Sequence, residues 1–441
     1  MLTYSEIGFT LAALGSSLYL LCKRKLSKQL PLPPSPGGYY PIVGHTFVMP
    51  TKSEHVAYAR WCELLGSDII SLTVLGQTIV ILNSLNVSEE LIDQRSEIYS
   101  GRPSLRVITD PDLFDWGGGI ILLPYGPQWK KQRRIMHEIL KPSAASNSYA
   151  LFEKETHGLL RRLLTGPESF EKELRRTVAA EILSSVYGYT VKDTDDALVR
   201  DSATLVKNFS IAAVPANFLV NFIPWLKYIP AWFPGAQWKR NIIEWRKLKE
   251  HVMNGPYEWA KAQIASGLAA PSIVQAHLAS IEENPKANMI EEEENLRLVG
   301  VVLFGAAADT SHASLMSFVL AMVQHPHVQS RAQQEIDQVT HCERLPTMAD
   351  RDSMPYIRCI VQEVLRWQPP LPLGVPRATS EDDKYRGYHI PKGSVVKVDR
   401  ITNAWAMTRD ESVYPSPEVF DPERFLNTSA PAAPAFGFGR R

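Results

Sequence analysis

Cysteine is scarce in this chain: Cys22, Cys62, Cys342 and Cys359 are the whole supply, with no CxxC pair and no metal-ligand spacing. So few thiols in so long a chain argue against a disulfide scaffold and favour a reducing compartment. An excess of charge is lacking too. Lys plus Arg number 47 and Asp plus Glu number 47, so nothing global points toward nucleic acid. No repeat period is visible, which sets repeat architectures aside. Gly117-Gly118-Gly119 lacks the Lys-Ser/Thr and the βαβ setting of a phosphate loop, and reads as a flexible loop.

What is present begins at the amino terminus. Ile7 to Cys22 carries no charge, and Leu2 to Tyr4 extends the apolar run past Glu6. A membrane span needs about 17–25 apolar residues, so residues 2–22 read as a short transmembrane anchor. Lys23, Arg24, Lys25 and Lys28 follow at once. Positive charge behind the apolar run predicts cytoplasmic retention of everything downstream, whereas a cleavable signal carries its charge in front. Pro31, Pro33, Pro34 and Pro36, then Gly37-Gly38, complete a basic and proline-rich hinge over residues 23–38. Residues 39–441 form the body, long enough to bury a large core.

The body reads as mainly α with a minor β component. Residues 69–83 predict two short strands around a Gly76-Gln77 turn. Helical periodicity then dominates, near 129–140, 150–164, 168–187, 196–212, 236–265, 294–324, 326–340 and 354–367, with strand-like pieces at 375–399. The acidic stretch Ile281 to Asn295 reads as a solvated loop and helix start. Residues 214–235 combine aromatics with four prolines, and either pack internally or dip into the bilayer that the anchor touches.

Several segments carry candidate chemistry. Trp129 and Arg133 stand at i and i+4, so an indole N–H and a guanidinium share one helix face suited to a carboxylate, unless this is a plain basic surface helix. In the helix 294–324, Gly305 to Ala308 are small and precede Asp309 and Thr310. Such a face lets a flat ligand approach the backbone, and an acid beside a hydroxyl can hold water and pass protons. The apolar runs on either side, Val301 to Phe304 and Leu315 to Met322, predict burial here. Glu363 and Arg366 lie one turn apart among Ile360, Val361, Val364 and Leu365. If buried they need further partners, which Arg424 can supply, and Arg377 is another cation near the same region. The chain closes on Phe436-Gly437-Phe438-Gly439-Arg440-Arg441, a glycine-rich basic tail.

These segments, in this order, resemble the cytochrome P-450 family, the haem-thiolate monooxygenases, and most nearly its membrane-bound fungal members. The resemblance covers essentially the whole chain. It implies the family's fold, lacking its C-terminal part, behind a single-pass anchor in the endoplasmic reticulum membrane with the body on the cytoplasmic side. It implies haem b, with Trp129, Arg133, Arg377 and Arg441 on the propionates and Phe436 beside the thiolate. Asp309 and Thr310 would deliver protons to activated dioxygen, and Glu363, Arg366 and Arg424 would form a structural charge network. Stretches near 102–123 and 205–235 would bound the substrate pocket. An NADPH-dependent membrane reductase would supply electrons, and an apolar small molecule, of terpenoid or polyketide type, would be oxidised in secondary metabolism.

The chain also departs from the family. Ala307 stands where Gly is usual. About four extra residues fall in the region Lys397 to Thr402, before Asn403-Ala404-Trp405-Ala406-Met407, either inserted or left by a misplaced exon boundary. The family's loop runs from the position of Arg441 through one residue to the iron-ligating cysteine, and residues 1–441 hold no cysteine near it. The thiolate is what favours O–O cleavage. The chain is thus expected to be either an inactive, truncated remnant or an incomplete gene product of an active enzyme. With a cytoplasmic body, the sequons at Asn86, Asn208 and Asn427 are expected to carry no glycan.

Overall fold

The computed structural model describes residues 30–50, 52–103, 105–141, 146–192, 195–283, 288–396, 403–426 and 430–439. The expected anchor, the first part of the hinge, the 397–402 region, Asn427 and Arg441 lie outside these residues. The chain divides into two compact units, one from Met1–Gly101, Val375–Asn403 and Phe438–Arg441, the other from Arg102–Gly374 and Ala404–Gly437.

The first unit holds helix α1 (Glu54–Leu65) and the strands. β1 (Ile69–Val74) and β2 (Gln77–Leu82) pair antiparallel, from Ile69 opposite Leu82 to Val74 opposite Gln77. The hairpin is as expected, but its turn is Leu75-Gly76, both at positive φ, so Gln77 already belongs to the strand. A two-residue turn with both φ positive matches the twist of the flanking strands. Further along the chain come β3 (Asp383–Tyr385) and β4 (Tyr388–Ile390), a second hairpin, and β5 (Val395–Val396), which joins β2 in parallel. Arg95 and the Tyr99 hydroxyl both bond the Asp383 carboxylate, at 2.8 and 2.9 Å, and tie the second hairpin down. The described part of the proline-rich stretch is laid against the sheet: the Ser71 hydroxyl donates to Pro33 O at 2.6 Å and its N–H to Pro34 O at 2.7 Å.

The second unit is helical. Its longer helices are α2 (Pro127–Leu140), α3 (Tyr149–Thr165), α4 (Phe170–Tyr187), α5 (Ala197–Ala212), α6 (Gln237–Ala265), α7 (Ile273–Glu282), α8 (Met289–Gln324), α9 (Pro326–Thr340) and α10 (Pro355–Trp367). α7 falls in a stretch for which the sequence pattern predicted no helix. α8 is the axis: α2, α4, α5, α6, α7, α9 and α10 all pack on it. Val299 to Phe304 are buried on every side, so α8 is a core helix even though its length and composition would suffice to cross a membrane. It starts earlier than the periodicity predicted, because Asn288 caps it through the Glu291 N–H. The acidic run that opens it is not simply solvated. Glu291 pairs with Lys131, Glu293 with Lys261 and Arg297, and Glu292 faces His277.

Candidate active site

Glu363 and Arg366 point inward from α10, where both are fully buried. A buried carboxylate must be matched bond for bond, and this one is. Its oxygens accept from Arg366 Nε and a terminal Arg366 nitrogen, each at 2.7 Å, from the Asp421 N–H at 2.8 Å and from Arg424 Nε at 3.2 Å. The rest of the Arg366 guanidinium donates to the carbonyls of Thr408 and Pro417, and Arg424 to those of Pro415 and Val419. The loop around residues 408–421 is therefore wound on two guanidinium groups that share one carboxylate. The structure brings Glu363, Arg366 and Arg424 together.

Asp309 and Thr310 are placed differently from expectation. All-round burial of α8 stops at Phe304, and the face carrying Ala306, Asp309 and Ser311 is exposed. The Asp309 side chain is 55% exposed, and its ion pair with Arg175 of α4 is loose, at 3.9 Å. The Thr310 hydroxyl donates to Ala306 O, one turn back, at 2.9 Å. The flanking apolar runs misled the burial expectation because the second lines another space. Leu315, Phe318 and Met322 border an apolar groove of about 630 Å³, completed by α9 and α10 residues such as Ile336 and Ile360.

On α2, Trp129 is buried beside Tyr125, ring centroids 5.2 Å apart, whereas Arg133 one turn on is exposed. What fixes this helix is an amide cluster that sequence reasoning missed. Gln128 and Gln132 both donate to Asn295 Oδ1 on α8, at 2.7 and 3.1 Å, and Gln132 also to Gly118 O at 2.8 Å. The signal available was a polar residue, Asn295, opening an apolar stripe.

The loops expected to bound a pocket meet each other. The Val107 N–H donates to Asn221 Oδ1 at 3.0 Å, and Lys227 pairs with Asp110 at 3.0 Å. Phe114, Trp116, Phe209, Phe218 and Trp245 form a chain of ring contacts between 5.4 and 6.1 Å. Residues 214–235 divide: Phe218 and Val220 are buried, whereas Trp225, Tyr228, Trp232 and Phe233 are exposed.

In the first unit, buried Arg377 donates to Phe438 O, and the Gly439 N–H donates to Asp93. Gly439 sits at φ +75, and a Cβ there would meet Arg377 at 2.7 Å and Ile92 O at 2.9 Å, so glycine alone fits this closure. Phe436 of the second unit is exposed, in the turn Pro434–Phe436. The described cysteines are poor thiolate ligands. Burial, with Asp68 and Glu63, pushes the Cys62 thiol up to about 12, and burial also raises Cys359. Cys342 is exposed after α9, and no cluster of His, Cys, Asp or Glu suited to a metal occurs among the described residues. Trp129 and Arg133 in the second unit and Arg377 in the first are each of a type that fits an anionic propionate, and the described cysteines do not fit as the axial ligand of a haem.

Comparison with known proteins shows the family. The sequence profile described as cytochrome P-450 matches residues 33–441. The cytochrome P-450 monooxygenase COX2 of Coprinopsis cinerea is 38% identical over 416 residues, covering 93% of this chain and 78% of its own. Cytochrome P-450 monooxygenase 208 of Postia placenta is 39% identical over 432 residues, 96% of this chain and 81% of its own. COX1 of Coprinopsis cinerea is 34% identical over 431 residues, 96% and 82% respectively. With helices round a long core helix, small sheets, a buried Glu-x-x-Arg network and this match over nearly its whole length, the chain belongs to the cytochrome P-450 family of haem b monooxygenases.

Proposed function

We propose that this protein is a membrane-bound haem monooxygenase that inserts one atom of dioxygen into an apolar small molecule, with NADPH as electron source through a membrane reductase. A terpenoid or polyketide in secondary metabolism is the substrate class. The observation that carries this reading is α8, where Gly305 to Ala308 precede an open Asp309–Thr310 pair directly after the fully buried stretch Val299 to Phe304. Haem, when bound, supplies the oxygen-activating chemistry. The protein's own part is narrower. Trp129, Arg133, Arg377 and Arg441 would hold the haem propionates, and Phe436 would tune the thiolate ligand. Asp309 gives and takes a proton at its carboxylate, and Thr310 leaves its Ala306 bond to hold a water. Trp116, Phe209 and Phe218 keep water from an apolar substrate.

Residues 2–22 anchor the body to the endoplasmic reticulum membrane. Exposed Trp225, Tyr228 and Trp232 in one unit, and Ile42 and Phe47 in the other, support contact with a bilayer surface. Burial of Asn208 on α5 supports the absence of a glycan there. The placement of Cys62, Cys342 and Cys359 favours a second reading, a catalytically inert member of the family. Incubation of membranes expressing the natural transcript with NADPH, a reductase, labelled dioxygen and terpenoid or polyketide panels tests both. One labelled oxygen in a product supports the first reading. Its absence, with the reductase active, supports the second.

A further inference from the structure

A solvent-open cavity of about 510 Å³ lies between α4 and α5, with Asp309 of α8 among its lining residues. Six cations line it against three carboxylates. Helix periodicity gathers most of these cations on two walls. Lys172, Arg175 and Arg176 are spaced i, i+3 and i+4 on α4, and Arg200 and Lys207 stand two turns apart on α5. The carboxylates are already engaged. Asp196 is 6% exposed and accepts from the Tyr189 hydroxyl and the N–H groups of Lys192 and Leu198, at 2.9 to 3.0 Å. Asp195 pairs with Arg200 at 3.0 Å, and Asp309 faces Arg175 at 3.9 Å. Arg175 also donates to Nδ1 of His312 at 3.3 Å, and Arg176 to the Lys192 carbonyl at 3.3 Å. The ammonium groups of Lys172 and Lys207 enter no ion pair among the described residues.

Like charges brought to one cavity repel, and here three positive charges are left uncancelled. A single carboxylate would offset one of them. A phosphate monoester carries nearly two negative charges and three terminal oxygens, which guanidinium and ammonium groups bind well. The cavity is in the size range of small-molecule sites and far larger than a bare phosphate needs. Val199, Ala203 and Val206 give it an apolar wall beside the cations. We propose that this cavity binds a phosphate monoester with an apolar substituent. The phosphoryl group sits between Lys172 and Arg175 of α4 and Arg200 and Lys207 of α5, and the substituent rests on the three apolar residues. The site uses no haem chemistry, so it stands or falls apart from the proposed function.

Calorimetric titration of the full chain in detergent with phenyl phosphate tests this, with benzoate at equal ionic strength as the singly charged counterpart. Phenyl phosphate is expected to bind about tenfold or more tightly than benzoate, and to weaken as pH falls through about 6, where the phosphate loses its second charge. Lys172→Gln combined with Lys207→Gln weakens binding about tenfold. Lys247→Gln, which removes an exposed cation of α6 paired with Glu244, leaves it unchanged. Both cavity lysines are exposed, so the double variant keeps its fold, checked by circular dichroism. Tighter binding of dihexanoyl phosphatidate than of phenyl phosphate identifies the natural source as a lipid headgroup, and the reverse order a soluble metabolite. Phosphates that bind no better than benzoate, or a double variant that binds as Lys247→Gln does, overturn the site.

Discussion

Glu363 and Asp309 are both carboxylates on helices of the same unit, and both face arginine, yet their surroundings are opposite. Glu363 has no exposure and accepts four hydrogen bonds of 2.7 to 3.2 Å. Asp309 is mostly exposed and keeps one contact at 3.9 Å. A charge without water must be fully satisfied and is then immobile. A charge at a water-filled rim can stay loosely held and free to exchange a proton. The first suits a scaffold and the second suits chemistry.

Four changes break or sharpen that contrast. The largest effect is expected from Glu363→Gln, which strands two buried guanidinium groups. Loss of about 3–5 kcal/mol is predicted, seen as a large fall in the urea midpoint or as insoluble protein. Asn295→Leu removes the acceptor shared by Gln128 and Gln132 and costs about 1–3 kcal/mol by the same measurement. The third is a pH effect. His312 is held below 6.5 when folded, so the unfolded chain takes up its proton first, and stability falls as pH drops from about 6.5 toward the folded value. His312→Gln flattens that slope by at most about 1.4 kcal/mol per pH unit, with burial-lowered His277 keeping part of it. Smallest is Arg175→Gln, whose effect on the urea midpoint at pH 8 corresponds to less than about 1 kcal/mol. A stability loss there as large as that of Glu363→Gln would erase the distinction between the two clusters.

The sequence pattern made most of this unit legible, because helices such as α4, α6 and α10 follow their apolar periodicity to within a few residues. α7 was missed because ten residues, Ile273–Glu282, give a short periodic signal. The Glu363 network was legible because Glu-x-x-Arg amid aliphatic residues implies inward charge that needs a third partner. Asp309 misled for the converse reason: apolar neighbours in sequence predict burial, but Leu315 to Met322 line a groove on another part of α8. Arg175 and His312 were invisible because their meeting depends on how α4 packs against α8, which no local pattern encodes. The amide cluster on Asn295 was hidden for the same reason. In the sheet unit, the hairpin was read correctly, while the one-residue shift of its turn depended on Leu75 accepting positive φ.

The central claim is that the described cysteines, Cys62, Cys342 and Cys359, are not suited to ligate a haem iron as thiolates. It is tested most directly by the spectrum of the reduced, carbon-monoxide-bound form of this 441-residue chain loaded with haem. The account predicts no thiolate-type Soret band. A thiolate-type band from this chain would contradict it.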